Sequence, residues 1–141
     1  MAAAPTYTLD VASASASIST ANTGRDGTGT LGTIYTARTA ANGGKGARID
    51  SISVCATSTT TAGMVRIFVT DSGGTARLIK EIAVSALTPS ATVKAFTIPA
   101  SEGADANGFL SLGEILAPGD ILRASTHNAE TFVVRARGGE F

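Results

Sequence analysis

From residue 31 onward, apolar and polar positions alternate in short runs separated by turn residues, with the period of two expected of strands burying one face. LGTIYTART (31–39) is the first run, and AANGGKG after it supplies the Asn-Gly pair and consecutive glycines of a turn or loop. RIDSISVCAT sets Ile52, Val54 and Ala56 on one side and Ser51, Ser53 and Cys55 on the other, and TSTTTA (57–62) reads as an exposed connection. MVRIFVTD repeats the pattern, with Val65, Ile67 and Val69 on one face and Arg66, Phe68 and Thr70 on its opposite. DSGGT is a hairpin signal, so ARLIKEIAVS returns beside MVRIFVTD. Leu78, Ile82 and Val84 then share a face with Lys80, and a lysine in that place predicts an edge strand or a bulge. TPSATVKAFTIPA predicts a strand over 93–98, bounded by Pro89 and Pro99. After the loop SEGADANG and the short apolar stretch FLSLGEIL, Pro118, Gly119 and Asp120 turn the chain. ILRAST runs outward, HNAE turns it again, and TFVVRAR returns as the second arm of a hairpin, with Phe132 and Val134 facing the layer of Ile121 or Leu122.

No window sustains a 3.6-residue period long enough for an ordinary helix, and only GADANGFLSLGEIL leaves room for a helical turn. Seven or eight short strands, each with one apolar face, need a second layer to cover them. The fold class expected is all-β: a β-sandwich of jelly-roll type over residues 31–141. Residues 12–30, ASASASISTANTGRDGTGT, hold one large aliphatic residue, Ile18, too little to offset the entropy of ordering alone. With residues 1–11 they read as an extended N-terminal arm, 1–30. SASASIS alternates Ala and Ile against Ser, as a strand laid on something else, and either a neighbouring subunit or the chain's own domain can hold it.

A length of 141 residues suits one domain. Apolar residues make up 43%, but aromatics only 5% and Trp none, so the core draws on Ile, Val, Leu, Ala and five Phe. Eleven basic and eleven acidic residues cancel, which argues against a nucleic-acid partner. A small cationic patch is left to Arg123, Arg135 and Arg137. The same three with Arg66 and Arg77 read as a solvated face with weak ion pairs to Asp71, Glu81 or Glu130, or else as intersubunit contacts. Cys55 stands alone, without a disulfide partner, and reads as a small buried thiol. No Cys pair or His cluster offers a zinc site, so neither metal nor cofactor is expected. MAAAPTYTLD lacks the basic head and apolar run of a secretory signal, and no run reaches membrane-spanning length, so folding in a cytosol and no membrane partner are expected.

Candidate chemistry gathers in LAPGDILRASTHNAETFVVRARG (116–138), which holds the single histidine, His127, with Asp120 and Glu130 nearby. An imidazole suits a general base. A triad also needs an activated nucleophile, yet Thr126 lies on the opposite side of its strand and no nucleophile elbow is present. The turn reading explains more residues, so no catalytic residue is assigned and the protein is not expected to be an enzyme. Glu102, Asp105, Glu114, Asp120 and Glu130 offer carboxylates for glycoside hydrolysis or calcium, but no Asp-x-Asp-x-Asp-Gly loop orders them. A sugar platform has only Tyr7 and Tyr35 besides the phenylalanines. GRDG (24–27) lacks the Lys-Ser or Lys-Thr pair and helix of a phosphate loop.

TAGMVRIFVTDSGGTARLIKEIAVSALTPSATVKAF, followed by ILAPGDILRASTHNAETFVVRARGGEF, resembles small uncharacterised proteins encoded among tailed-phage and prophage structural genes. The resemblance covers about residues 47–141, and VRIFVTD, LTPSAT, LAPGDILRASTHNAE and the terminal GG-acid-F carry it. It implies a virion component, made in the host cytoplasm: a head decoration, or cement, protein on the capsid surface, binding the major capsid protein lattice or copies of itself as a homo-oligomer, a trimer among the options. The alternative it implies is a tail or baseplate β-sandwich module, with glycan binding as one version.

Overall fold

The computed structural model describes residues 10–141; Tyr7 and the rest of residues 1–9 of the expected arm lie outside the described residues. The chain is all-β. Its strands are β1 (Asp10–Ile18), β2 (Gly32–Thr36), β3 (Ala47–Ala56), β4 (Gly63–Thr70), β5 (Ala76–Val84), β6 (Phe109–Leu116), β7 (Ile121–Thr126) and β8 (Phe132–Glu140). They form two four-stranded antiparallel sheets, β1-β8-β3-β6 (sheet A) and β2-β7-β4-β5 (sheet B), packed as a β-sandwich.

The alternation in β3 becomes two faces: Ile49, Ile52, Val54 and Ala56 are buried, while Arg48, Asp50 and Cys55 are exposed. Cys55 therefore corrects the expectation of a buried thiol, because it shares the outward parity of Ser51 and Ser53. β4 and β5 form the hairpin that DSGGT predicts, closed by Asp71 N–H donating to Thr75 O at 3.0 Å. The lysine signal has both of its readings fulfilled. β5 is a sheet edge, and a bulge sets Lys80 opposite Ile67 and Leu78 opposite Phe68. That slip leaves Ile82 and Val84 in the core and moves Leu78 out of register with them.

Two expectations fail for the same reason, that every free strand edge needs a vacant partner. Residues 93–98 form no strand: β6 already occupies the edge of β3 as far as Ser53, leaving space for one bridge, Cys55 to Thr97. Phe96 and Ile98 are nonetheless buried, with Phe96 set edge-on to Phe132 at 6.3 Å between ring centroids. β7 and β8 are not a hairpin. β7 lies between β2 and β4 in sheet B, whereas β8 lies between β1 and β3 in sheet A, so HNAE carries the chain from one sheet to the other. FLSLGEIL is strand β6 throughout.

Sheet A contributes Ile49, Ile52, Val54, Leu116, Phe132 and Val134 to the core, and sheet B Ile34, Val65, Ile67, Ile82, Leu122 and Ala124. Residues 10–18 complete sheet A. β1 pairs with β8 through its whole length, Asp10 to Glu140 through Ile18 to Phe132, with Ala12 and Ile18 inward and the serines outward. The strand thus lies on the chain's own body. From Ser19 the chain crosses to the outer face of sheet B and runs over it as a strap, 19–30. Ala21 bridges Thr126, Asn22 N–H donates to Thr126 O at 2.8 Å, and Arg25 meets Glu81 on β5. Asn22 Nδ2 closes the strap by donating to Thr28 O and Thr30 O at 2.9 and 3.0 Å. At Gly27, φ is 84°, and a Cβ would stand 2.6 Å from Ala76 O, so the strap lies directly on the start of β5.

Candidate functional site

Under the strap, β4 is buried on both faces. Arg66 is 1% exposed and Phe68 fully buried, although both point away from the main core. A buried guanidinium demands acceptors, since all its nitrogens donate. Arg66 finds three. Its Nε donates to Glu81 Oε1 at 2.8 Å, Nη1 reaches Asn22 O at 3.3 Å, and Nη1 and Nη2 lie 3.4 and 3.3 Å from His127 Nδ1. Because arginine cannot accept, Nδ1 must offer its lone pair, which puts the proton of neutral His127 on Nε2. Glu81 also takes Arg25 Nε at 2.7 Å, and the hydrogen bond from Arg66 holds its carboxyl below the ordinary value. The expected pairing of Arg66 with Glu81 is thus made, but with the guanidinium buried beneath the strap and only the carboxylate partly in water. Arg77 pairs with Asp71 at 2.8 Å at the surface.

His127 is placed for this contact by its own backbone, whose N–H donates to Met64 O at 2.8 Å. The acids near it in sequence go elsewhere. Asp120 sits at the other end of six-residue β7, about 20 Å along the strand, where Oδ2 accepts from Ala117 N–H at 3.0 Å and closes the Pro-Gly turn. Glu130 Oε1 accepts from Thr61 N–H at 2.8 Å and from the Thr61 hydroxyl, while Asn128 Nδ2 donates to Ala62 O at 3.1 Å. Thr126 Oγ1 is likewise used internally, donating to Asn128 O at 2.9 Å. The HNAE turn is therefore tied to the 57–62 connection, and neither Asp120 nor Glu130 meets the imidazole.

The other carboxylates are also dispersed. Glu102 Oε2 accepts from Ala83 N–H at 3.2 Å, and Asp105 Oδ1 from Asn107 and Phe109 N–H at 2.9 and 3.0 Å. Glu114 lies on edge strand β6. Among the described residues, no three His, Cys, Asp or Glu side chains gather as a metal site.

A second polar cluster has no counterpart in the sequence reading. Glu140, 7% exposed at the end of β8, accepts at Oε1 from the Tyr35 hydroxyl and from Arg38 N–H at 2.8 Å, with Arg38 Nε 3.3 Å from Oε2. Arg38 also reaches Asp10 on β1. The bond from Tyr35 holds the Glu140 carboxyl below its ordinary value, whereas burial and that same bond push the Tyr35 phenol up. The cluster joins β1, β8 and the end of β2 across the two sheets, and it turns the Tyr35 hydroxyl inward.

Arg123, Arg135 and Arg137 do not form one patch. Arg123 belongs to sheet B, opposite Phe68, while Arg135 and Arg137 stand exposed on the outer face of sheet A. A cavity of about 110 Å³ lies where the strap leaves β1, with hydroxyl-bearing Ser17, Ser19, Thr20, Thr30 and Ser125 in its wall. Comparisons with family models, with curated proteins and with solved structures each find no match.

The signal for the buried cluster was present in VRIFV itself. A strand with Val65, Ile67 and Val69 on one face and Phe68 beside Arg66 on its other is too apolar to leave either side in water.

Proposed function

We propose that this chain is a non-enzymatic structural protein of a phage virion, a head decoration protein that binds the major capsid protein lattice from the capsid's outer surface. The observation that carries the reading is the strand order, 1-8-3-6 against 2-7-4-5. Every consecutive connection except the β4–β5 hairpin changes sheet, the order that two nested Greek keys produce, and on it we infer a jelly roll, an architecture recurrent in viral capsid and lectin domains. The phage-like texture of residues 65–71, 87–92, 116–130 and 138–141 supports the virion setting. Also in favour is the use of the unusual polar groups: Arg66, His127 and Glu140 fasten the chain to itself and leave broad outer surfaces for contact. The 110 Å³ cavity is well below the about 300–1,000 Å³ of small-molecule pockets.

Lattice contact in this reading comes from the sandwich body, because residues 10–30 are already paired within the chain. Several copies, as an oligomer or side by side on the lattice, give the many weak contacts that together slow shell opening. The glycan-binding tail module has less behind it, since Tyr35 spends its hydroxyl on Glu140. Cryo-electron microscopy of native particles tests the proposal: eight-stranded sandwiches are expected on the outer shell, and their placement at the tail or absence from the particle overturns it.

A further inference from the structure

The two outer sheet faces differ in one respect: the strap covers sheet B, and among the described residues nothing covers sheet A. The open face has a definite chemistry. Its strands read outward as serines on β1 and β3, so the floor is low, and Arg135 and Arg137 rise from central β8 above Ser53 and Ser51. Arg137 is held in place. Its Nε donates to Ser51 Oγ at 2.9 Å, and its guanidinium carbon lies 3.5 Å from the centroid of the Phe109 ring. Stacking of this kind fixes the plane of the guanidinium while leaving its outer donors free. One row further on, Val11 and Ile115 are 83% and 58% exposed, an apolar border to the cationic centre.

We propose that the outer face of sheet A is a docking site for a carboxylate-bearing surface of a partner protein, with Arg135 and Arg137 as its anchors. Charge chooses the occupant. The face carries Arg48, Arg135 and Arg137 against one carboxylate, Asp50, which is already paired with Arg48 at 2.8 Å. A second copy brought onto it sets the same arginines against each other. A nucleic acid meets too few cations, since specific phosphate-tracking proteins make about 6–10 such contacts. Planar guanidinium groups match carboxylates through paired N–H donors, and apolar flanks exclude water around the pair. The inference deepens the virion proposal by naming the face that meets the lattice.

The test titrates the full ¹⁵N-labelled chain at low salt with a glutamate decapeptide, following backbone amide shifts. Shifts are expected to concentrate at residues 51–53, 109–111 and 133–139. The R135E/R137E chain should bind at least tenfold more weakly, whereas K94E, changed at an exposed loop lysine, should match wild type. R135Q/R137Q repeats the comparison without charge reversal, and thermal unfolding verifies that both variants fold. Shifts centred elsewhere, binding by both double variants as tight as wild type, tighter binding of a DNA duplex of equal charge, or the same shifts on raising protein concentration alone each overturn the inference. Co-sedimentation with native particles separates it from the virion role. Wild type absent from particles while the decapeptide maps to this face sinks the virion role alone. Wild type and R135E/R137E equally present on particles sinks the docking face alone.

Discussion

Arg66 shows how one residue's partners decide its energetics. With its guanidinium buried and paired with Glu81, Asn22 O and His127 Nδ1, it costs little while all three remain, but removing it leaves Asn22 O and His127 Nδ1 without their donor. Arg66→Met should therefore destabilise the chain more than His127→Ala does, because Asn22 O and His127 Nδ1 both lose their donor while partly exposed Glu81 keeps Arg25. His127→Ala removes a single acceptor and should cost about 1 kcal/mol; urea denaturation of both variants gives the values. At the other cluster, the Glu140 carboxyl titrates lower when folded than unfolded. Near pH 4 the unfolded chain then binds more protons, so this group's stabilisation is complete above its ordinary value of 4.5 and fades as pH falls through the lower folded value. Unfolding measured between pH 6 and 2 should show that acid limb, and Glu140→Gln should flatten it; an unchanged slope rejects the assignment. None of these partners was legible in the sequence. Cys55 was expected to be buried although its parity with Ser51 and Ser53 pointed outward, and Phe68 beside Arg66 hinted that the second face of β4 is covered, whereas what covers Arg66 is a segment some 44 residues earlier.

Elements were legible where the cause is local. Alternation gave β3, DSGGT gave the β4–β5 hairpin, and Lys80 gave the bulge, because period, turn chemistry and a misplaced charge all act within a few residues. Partnering was not legible. Periodicity states which face of a strand is apolar and is silent on its neighbour, so β7 and β8 read as a hairpin although they belong to different sheets. The same silence hid the status of β1. Its alternating alanines and serines were recognised, but only pairing with β8 makes them part of sheet A. A chain beginning at residue 31 should consequently expose the β8 edge and the outer face of sheet B, and aggregate or lose near-ultraviolet dichroism; a soluble, cooperatively unfolding product contradicts the pairing. Close backbone approach gives a finer test. Gly138 sits at the β3 bulge, where a Cβ would lie 1.8 Å from Arg48 O, so Gly138→Ala should destabilise by about 1–3 kcal/mol in the same urea assay.

At the scale of the molecule, the sandwich is asymmetric. Sheet B is backed inward by the core and outward by the strap over Arg66 and the start of β5, while sheet A keeps a bare face with Arg135 and the anchored Arg137. The proposed docking follows from that asymmetry, because the strap already takes up the middle of sheet B's outer face. Its origin is the strap, whose hold on Arg66 and Thr126 is the physical centre of the account. Amide hydrogen exchange on the isolated chain measures that hold residue by residue. The Asn22 N–H, bonded to Thr126 O, should exchange as slowly as amides of β4 and should quicken in Arg66→Met. Exchange of Asn22 at the rate of a free loop would contradict a strap that belongs to the fold.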